Sequence, residues 1–210
     1  MHKIRELYNR PAAQGFTLIE MAIVLVVIGL ILGMVFKGRQ LIASAKVKNA
    51  NAGYNKVIAG MNTFYDRYGL YPGDGCESDV DLGDPTSCDD GTQNGLISGD
   101  NEEQAFWSFM TNATTILSAS ARESALGSTE WDVAGNTNSS WIYTEGADLR
   151  LVCDLDRVAD DGVPDDGDIQ AGNSDVTDNW GGNNAEYGGT ASPDCWSLTG
   201  TTDVQLQILP

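Results

Sequence analysis

Apolar residues run from Phe16 to Phe36 with one ionisable side chain among them, Glu20. As a helix rising 1.5 Å per residue, those 21 positions reach roughly 30 Å, enough to cross the hydrocarbon core of a bilayer. Beyond Phe36 the run gives way to a periodic pattern. Leu41, Ile42, Ala45, Val47, Tyr54, Val57, Ile58, Met61, Phe64, Tyr65 and Tyr68 recur at helical spacing, and no proline falls between Thr17 and Tyr71. The spacing predicts one helix to about Tyr68, roughly 80 Å long, with Gly69 as its C-cap and Pro72 just beyond. Its second half should be amphipathic and rest on a sheet, since aromatic residues at this spacing form a core face rather than a path for charge.

After Pro72 the texture turns to loop signals: Pro72-Gly73-Asp74-Gly75, Asp89-Asp90-Gly91 and Asn94-Gly95. Glu102 to Arg122 reads as a short helix, with Asn101 as N-cap and Phe106, Phe109, Met110 and Leu117 turned inward. Strands are expected at Ser140–Thr144, Leu149–Cys153, Cys195–Leu198 and Val204–Leu209, the last alternating Val204, Leu206 and Ile208. Residues 173–190, polar and rich in Gly, Asn and Asp, read as a surface loop. The fold class is α+β: a long N-terminal helix, apolar and then amphipathic, packed on a C-terminal antiparallel sheet.

Composition narrows the chemistry. In 210 residues the single histidine is His2, so the body of the chain has no imidazole for a catalytic triad, a proton shuttle or a histidine zinc site. Carboxylate pairs are plentiful, but no feature holds any pair at a defined separation, and the chain does not read as an enzyme. Charge is divided along the sequence. Residues 73–210 hold 27 acids and three bases (Arg122, Arg150 and Arg157), 3 − 27 = −24, whereas Lys37, Arg39, Lys46, Lys48 and Lys56 follow the apolar run with no acid before Asp66. Either the acidic surface serves solubility by self-repulsion, or the basic segment of one subunit lies against acidic heads of its neighbours. Nucleic acid is not an expected partner, because the acidic part lacks the basic footprint that phosphates require. The four cysteines, Cys76, Cys88, Cys153 and Cys195, have no close pairs of the zinc-ribbon kind, and an oxidising compartment makes them disulfides with three possible connectivities.

Asp154, Asp156, Asp160, Asp161 and Asp165 crowd around Gly162 and Gly167. Calcium takes six to eight oxygens, so these carboxylates form a candidate metal set, although no glutamate closes a twelve-residue EF-hand loop. Asp and Gly are equally good turn formers, and a solvated turn is the competing reading.

The most specific segment is the junction Ala13-Gln14-Gly15-Phe16-Thr17-Leu18-Ile19-Glu20, preceded by Lys3, Arg5 and Arg10. A carboxylate inside an apolar span is costly and calls for a partner. No small-residue signal-peptidase site follows the run. The junction resembles the signature of type IV prepilins and the related type II secretion pseudopilins. The resemblance implies a leader over 1–15, a transmembrane and filament-core helix over 16–36, an amphipathic stem over 37–68 and a globular head over 69–210. It implies that a prepilin peptidase cuts between Gly15 and Phe16, that Phe16 becomes the N-methylated terminus, and that Glu20 pairs with the α-amino group of a neighbouring Phe16. A buried carboxylate and a buried ammonium suit one another.

The implied product is a subunit of a helical type IV pilus-like filament. The alternatives are a type II secretion pseudopilin, or a minor pilin in adhesion or DNA uptake. Implied partners are copies of the chain itself, the peptidase, inner-membrane assembly machinery, and lipid before assembly. The precursor is expected as a single-pass inner-membrane protein and the product as an extracellular pilus or periplasmic pseudopilus. The basic stem would be drawn to the cytoplasm by the positive-inside rule, so insertion in the implied orientation needs assistance. Many relatives carry a proline in the span; here only Gly29, Gly33 and Gly38 soften it. By the same resemblance the preferred pairing is Cys76–Cys88, stapling an acidic loop, with Cys153–Cys195 closing a loop near the C-terminus as in many pilins. Some pilins and pseudopilins bind calcium in C-terminal loops. The segments Tyr68-Gly69-Leu70-Tyr71-Pro72-Gly73-Asp74 and Asn94-Gly95-Leu96-Ile97-Ser98-Gly99, the latter followed by Glu103 and Phe106-Trp107, are similar to stretches of some large pilin-like proteins and assign no activity.

Overall fold

The computed structural model describes residues 15–88, 92–127, 129–136, 138–172 and 194–210. The leader before Gly15, the turn Asp89-Asp90-Gly91 and the loop at 173–190 lie outside the described residues. The chain divides into two compact units, Met1–Ile42 and Ala43–Pro210.

Helix α1, Leu18–Tyr68, begins in the first unit and ends in the second. In the first unit its apolar residues from Leu18 to Phe36 are exposed, and the helix is long and apolar enough to cross a membrane. From Ala43 onward one stripe turns inward: Ala43, Val47, Ala50, Val57, Met61 and Phe64 are buried, at the three- and four-residue steps of an amphipathic helix. The helix stops where Gly69 adopts a left-handed φ of 78° and its N–H returns to the Tyr65 carbonyl at 2.8 Å.

The second unit is α+β. Strands β1 (Asp132–Gly135), β2 (Ser140–Asp148), β3 (Ile169–Gly172) and β4 (Thr201–Leu209) form one antiparallel sheet in the order β1-β2-β4-β3. The register sets Val133 opposite Ile142, Ile142 opposite Leu206, and Leu206 opposite Ile169, so one apolar row crosses the sheet. These residues join the α1 stripe in one core with Phe106, Phe109 and Met110. Phe64 stacks on Phe109 with ring centroids 6.2 Å apart, and the Tyr54 hydroxyl donates to the Gln207 carbonyl, tying α1 to β4. Two disulfides brace the unit, Cys76–Cys88 and Cys153–Cys195.

Four expectations need correction. Leu149–Cys153 is not a strand but the start of helix α3, Leu149–Ala159. The Asp148 side chain caps that helix by accepting the Arg150 N–H, and Leu151, Val152 and Leu155 then face inward at helical steps. Cys195–Leu198 is likewise not a strand: Cys195–Ser197 is a 3-10 turn capped by Asp194. The single helix expected over Glu102–Arg122 is broken. Helix α2, Asp100–Ser108, widens into a π turn at Phe109–Ala113, and a separate 3-10 turn covers Ala119–Arg122. The break coincides with Thr115, whose φ of 53° lies outside any right-handed helix. Asn101 lies inside α2 rather than capping it; the cap position is Gly99. Strands β1 and β3, four residues each, were not expected at all.

Candidate functional site

At the head of α1, Gly15, Phe16 and Thr17 are extended chain, and the Phe16 side chain is 79 % exposed. Thr17 and Glu20 bind each other reciprocally. The Glu20 Oε2 accepts the Thr17 backbone N–H at 2.8 Å and the Thr17 hydroxyl at 2.7 Å, and the Glu20 N–H donates to the Thr17 Oγ1 at 3.2 Å. This is a capping box, in which Ser or Thr at the N-cap and Glu three positions on satisfy two otherwise unpaired helix donors. Thr-Leu-Ile-Glu is itself the box pattern, so the signal stood in the sequence, where only Glu20 was singled out. The consequence is that the one carboxylate of the apolar segment is held at its N-terminal edge, beside Phe16, by its own chain. Thr17→Ala should remove the box and weaken the first turn by about 1 kcal/mol, seen as faster amide exchange at positions 17–21 in a membrane mimetic. Thr17→Ser should exchange like the native chain, and an unchanged Thr17→Ala would remove the box from the account.

In the second unit, two carboxylates join the segments 68–74 and 94–99 into one structure. Asp74, 3 % exposed, accepts the N–H groups of Asn94 and Gly95, each at 3.0 Å. Glu102 accepts the N–H of Gly75 at 2.9 Å and of Ser98 at 2.7 Å. Gly73 between them has φ 91°, and a Cβ there would run into the Glu102 carbonyl oxygen, so only glycine fits. The two motifs are therefore one scaffold, and neither Asp74 nor Glu102 had been given this role.

Of the five aspartates considered as calcium ligands, the structure brings together three. Asp156, Asp160 and Asp161 offer oxygens within 4.8 Å of one another, whereas Asp154 and Asp165 stand outside that group. Each of the three holds a turn. Asp156, fully buried, accepts the Gly162 N–H at 2.9 Å; Asp160 accepts the Ile169 N–H at 2.7 Å; Asp161 accepts the Val163 N–H at 2.7 Å. Gly167 has φ 79°, and a Cβ on it would strike the Asp160 carboxylate. Each of these three carboxylates accepts a backbone N–H, as turn-holding aspartates do, and together they could supply part of the six to eight oxygens calcium takes.

Burial raises the pKa of several head carboxyls. For Asp74 burial outweighs the Gly95 and Asn94 N–H groups; for Glu102 burial is joined by the Asp74 charge; for Glu103 burial is joined by Asp100 and Asp132. Asp160 is raised chiefly by burial as well. A carboxyl raised in the folded state contributes stability that is complete below its unfolded pKa and is lost as pH rises through the folded value. Asp148, lowered chiefly by its bond to Arg150, and Asp84, lowered chiefly by the Thr86 N–H, work in the opposite sense but are outnumbered. The melting temperature in detergent should therefore fall as pH is raised from about 4.5 to about 7, starting near the reference carboxyl values. A rise over the same interval would contradict these assignments.

Comparison with curated proteins and with solved structures finds no match. Residues 10–36, which hold the junction, the capping box and most of the exposed apolar helix, match the prokaryotic N-terminal methylation motif, and the chain thus carries the signature of a type IV pilin or pseudopilin precursor.

Proposed function

We propose that this chain is a structural subunit of a type IV pilus-like filament, cut between Gly15 and Phe16 and polymerised through α1. The observation that carries the reading is the methylation motif leading straight into an apolar helix with every residue from Phe16 to Phe36 exposed. So much apolar surface needs cover, which lipid supplies before assembly and neighbouring copies of the same helix supply afterwards. Repeated head-to-tail contacts that do not close give a helical fibre.

Glu20 has the decisive part. In the single chain its carboxylate is satisfied by Thr17. Cleavage places a new α-amino group on Phe16, four positions before that carboxylate in sequence. When the helix leaves lipid for the fibre core, the amine of a neighbouring subunit is the partner that neutralises a buried Glu20. The inner membrane is where the precursor is anchored.

The same junction serves a periplasmic pseudopilin of a type II secretion system, the second reading. Shearing intact cells separates the two. Fibres released from the surface and containing this chain are expected for a pilus, whereas filaments confined to the periplasm would favour the secretion role. Recovery of the chain only as an uncut membrane protein, under conditions where other pilins are processed, would overturn both.

A further inference from the structure

The apolar surface of α1 does not stop at Phe36. Lys37 and Arg39 come next, and after them Leu41 and Ile42, each 61 % exposed. All four belong to the first compact unit, and both bases are exposed as well. The bases therefore interrupt the apolar surface of the helix instead of following it into water. With Phe36 on one side and Leu41 and Ile42 on the other, they are held close to the hydrocarbon boundary when the span lies in a bilayer. At 1.5 Å per residue, Lys37 to Ile42 covers about 8 Å, against a headgroup layer of about 5–8 Å on each side of the hydrocarbon core.

At that depth the two bases have little to satisfy them in their own chain. The Lys37 Nζ donates to the Gln40 Oε1 at 3.3 Å, which uses one of three ammonium donors. Arg39 makes no hydrogen bond or ion pair among the described residues, whose three ion pairs all involve Arg122 or Arg150. No acid occurs between Glu20 and Asp66. Two positions apart on a helix, Lys37 and Arg39 point roughly 160° from one another, so they reach different neighbours. Lys46, Lys48 and Lys56 differ: they belong to the second unit, on the part of α1 that carries the buried stripe from Ala43. In a bilayer the groups beside Lys37 and Arg39 are lipid headgroups, whose phosphate oxygens match a guanidinium fork and accept from an ammonium.

We infer that Lys37 and Arg39 each seat the phosphate of an anionic phospholipid, in the leaflet that Phe36 reaches. This rests on the membrane-anchored stage of the proposed function and adds to it two lipid sites and a headgroup preference. The two sites fix the depth of the precursor helix in the bilayer. A net-negative headgroup is preferred to a zwitterionic one, because no carboxylate on this stretch of α1 meets a headgroup cation.

The test inserts the full-length chain into nanodiscs of equal parts phosphatidylglycerol and phosphatidylcholine and counts retained lipids by native mass spectrometry. Two phosphatidylglycerol molecules per chain are expected, with phosphatidylcholine a minor adduct. Lys37→Gln and Arg39→Gln should each remove one of them, lowering its retention roughly fivefold, and the double variant should retain neither. The Lys46→Gln/Lys48→Gln chain, which loses the same charge from the second unit, should keep both. Equal retention of the two lipids would overturn the inference and leave the filament reading standing. So would a loss of phosphatidylglycerol from the Lys46→Gln/Lys48→Gln chain as great as that from the double variant at 37 and 39. A lipid-free dimer would give these bases to a second copy and overturn it as well. A native chain that does not enter the nanodisc would sink the membrane-anchored reading too.

Discussion

Glu20→Ala is expected to leave cleavage at Gly15–Phe16 intact and to abolish incorporation into filaments. The proposed scissile bond, Gly15–Phe16, lies outside α1 on exposed extended chain, so the peptidase would lose little. Assembly is different, because the amine of a neighbouring Phe16 would then enter an apolar core with no counter-charge. Breaking a buried pair by removing one partner costs about 3–5 kcal/mol, which corresponds to a loss of roughly two to four powers of ten in subunit addition. Glu20→Gln separates the two duties of the side chain. Glutamine serves in a capping box as glutamate does, but it carries no charge. If charge neutralisation drives assembly, Glu20→Gln processes normally and fails to assemble, as Glu20→Ala does. If Glu20→Gln cells made fibres at native levels, the capping box would be the whole role of Glu20 and the pairing mechanism would be wrong.

The second large effect concerns the stability of the head. Opening Cys153–Cys195 with paired serines should cost about 4 kcal/mol by the loop-entropy relation, because the bridge spans a sequence separation of 42. Opening Cys76–Cys88, with a separation of 12, should cost about 3 kcal/mol by the same relation. The former also joins α3 to the Cys195–Ser197 turn, while the cysteines of both bridges are buried in the core. Denaturant unfolding of the full chain in detergent, with each pair replaced in turn, reads the two differences directly. The ordering is the informative part. A larger loss from the Cys76–Cys88 pair would mean that local packing, rather than restriction of the unfolded chain, governs these bridges.

The parts of this fold that were legible in the sequence are those where one periodic signal ran long enough to stand alone. Fifty-one residues of α1 end at a glycine that takes the left-handed cap conformation, and both the length and the stop were readable. The cores of β2 and β4 announced themselves by β-branched and aromatic residues. Alternation in β4 was imperfect, however, since Gln205 is buried as well, with its amide nitrogen donating to Gln170 at 2.8 Å. Misreadings occurred where an apolar run was short. Leu149–Cys153 reads equally as strand or helix over five residues, and the deciding signal is the polar residue in front, Asp148, whose carboxylate takes the Arg150 N–H. Strands β1 and β3 exist through their partners: four residues such as Ile169–Gly172 are strand only because β4 lies alongside.

At the candidate site the balance is similar. The junction was readable because its spacing is local. Within it, Thr17 and Glu20 stand three positions apart at the head of an apolar run, the local spacing of the capping box they form. Asp74 and Glu102 could not be found in this way. Their partners, Asn94 and Gly95 for one and Gly75 and Ser98 for the other, are brought close only by folding, and Gly75 lies 27 positions from Glu102. The aspartates at 154–165 looked alike in sequence. Folding distinguishes a buried Asp156, a shared group with Asp160 and Asp161, and an Asp165 left exposed.

The central claim, that this chain is a precursor whose mature form begins at Phe16 and builds a filament, is tested most directly by the mass of its N-terminal peptide in fibres sheared from cells. The expected species starts at Phe16 and carries one methyl group on its α-amine, with no peptide from residues 1–15. A fibre-borne chain that starts at Met1, or at any residue other than Phe16, would contradict the account.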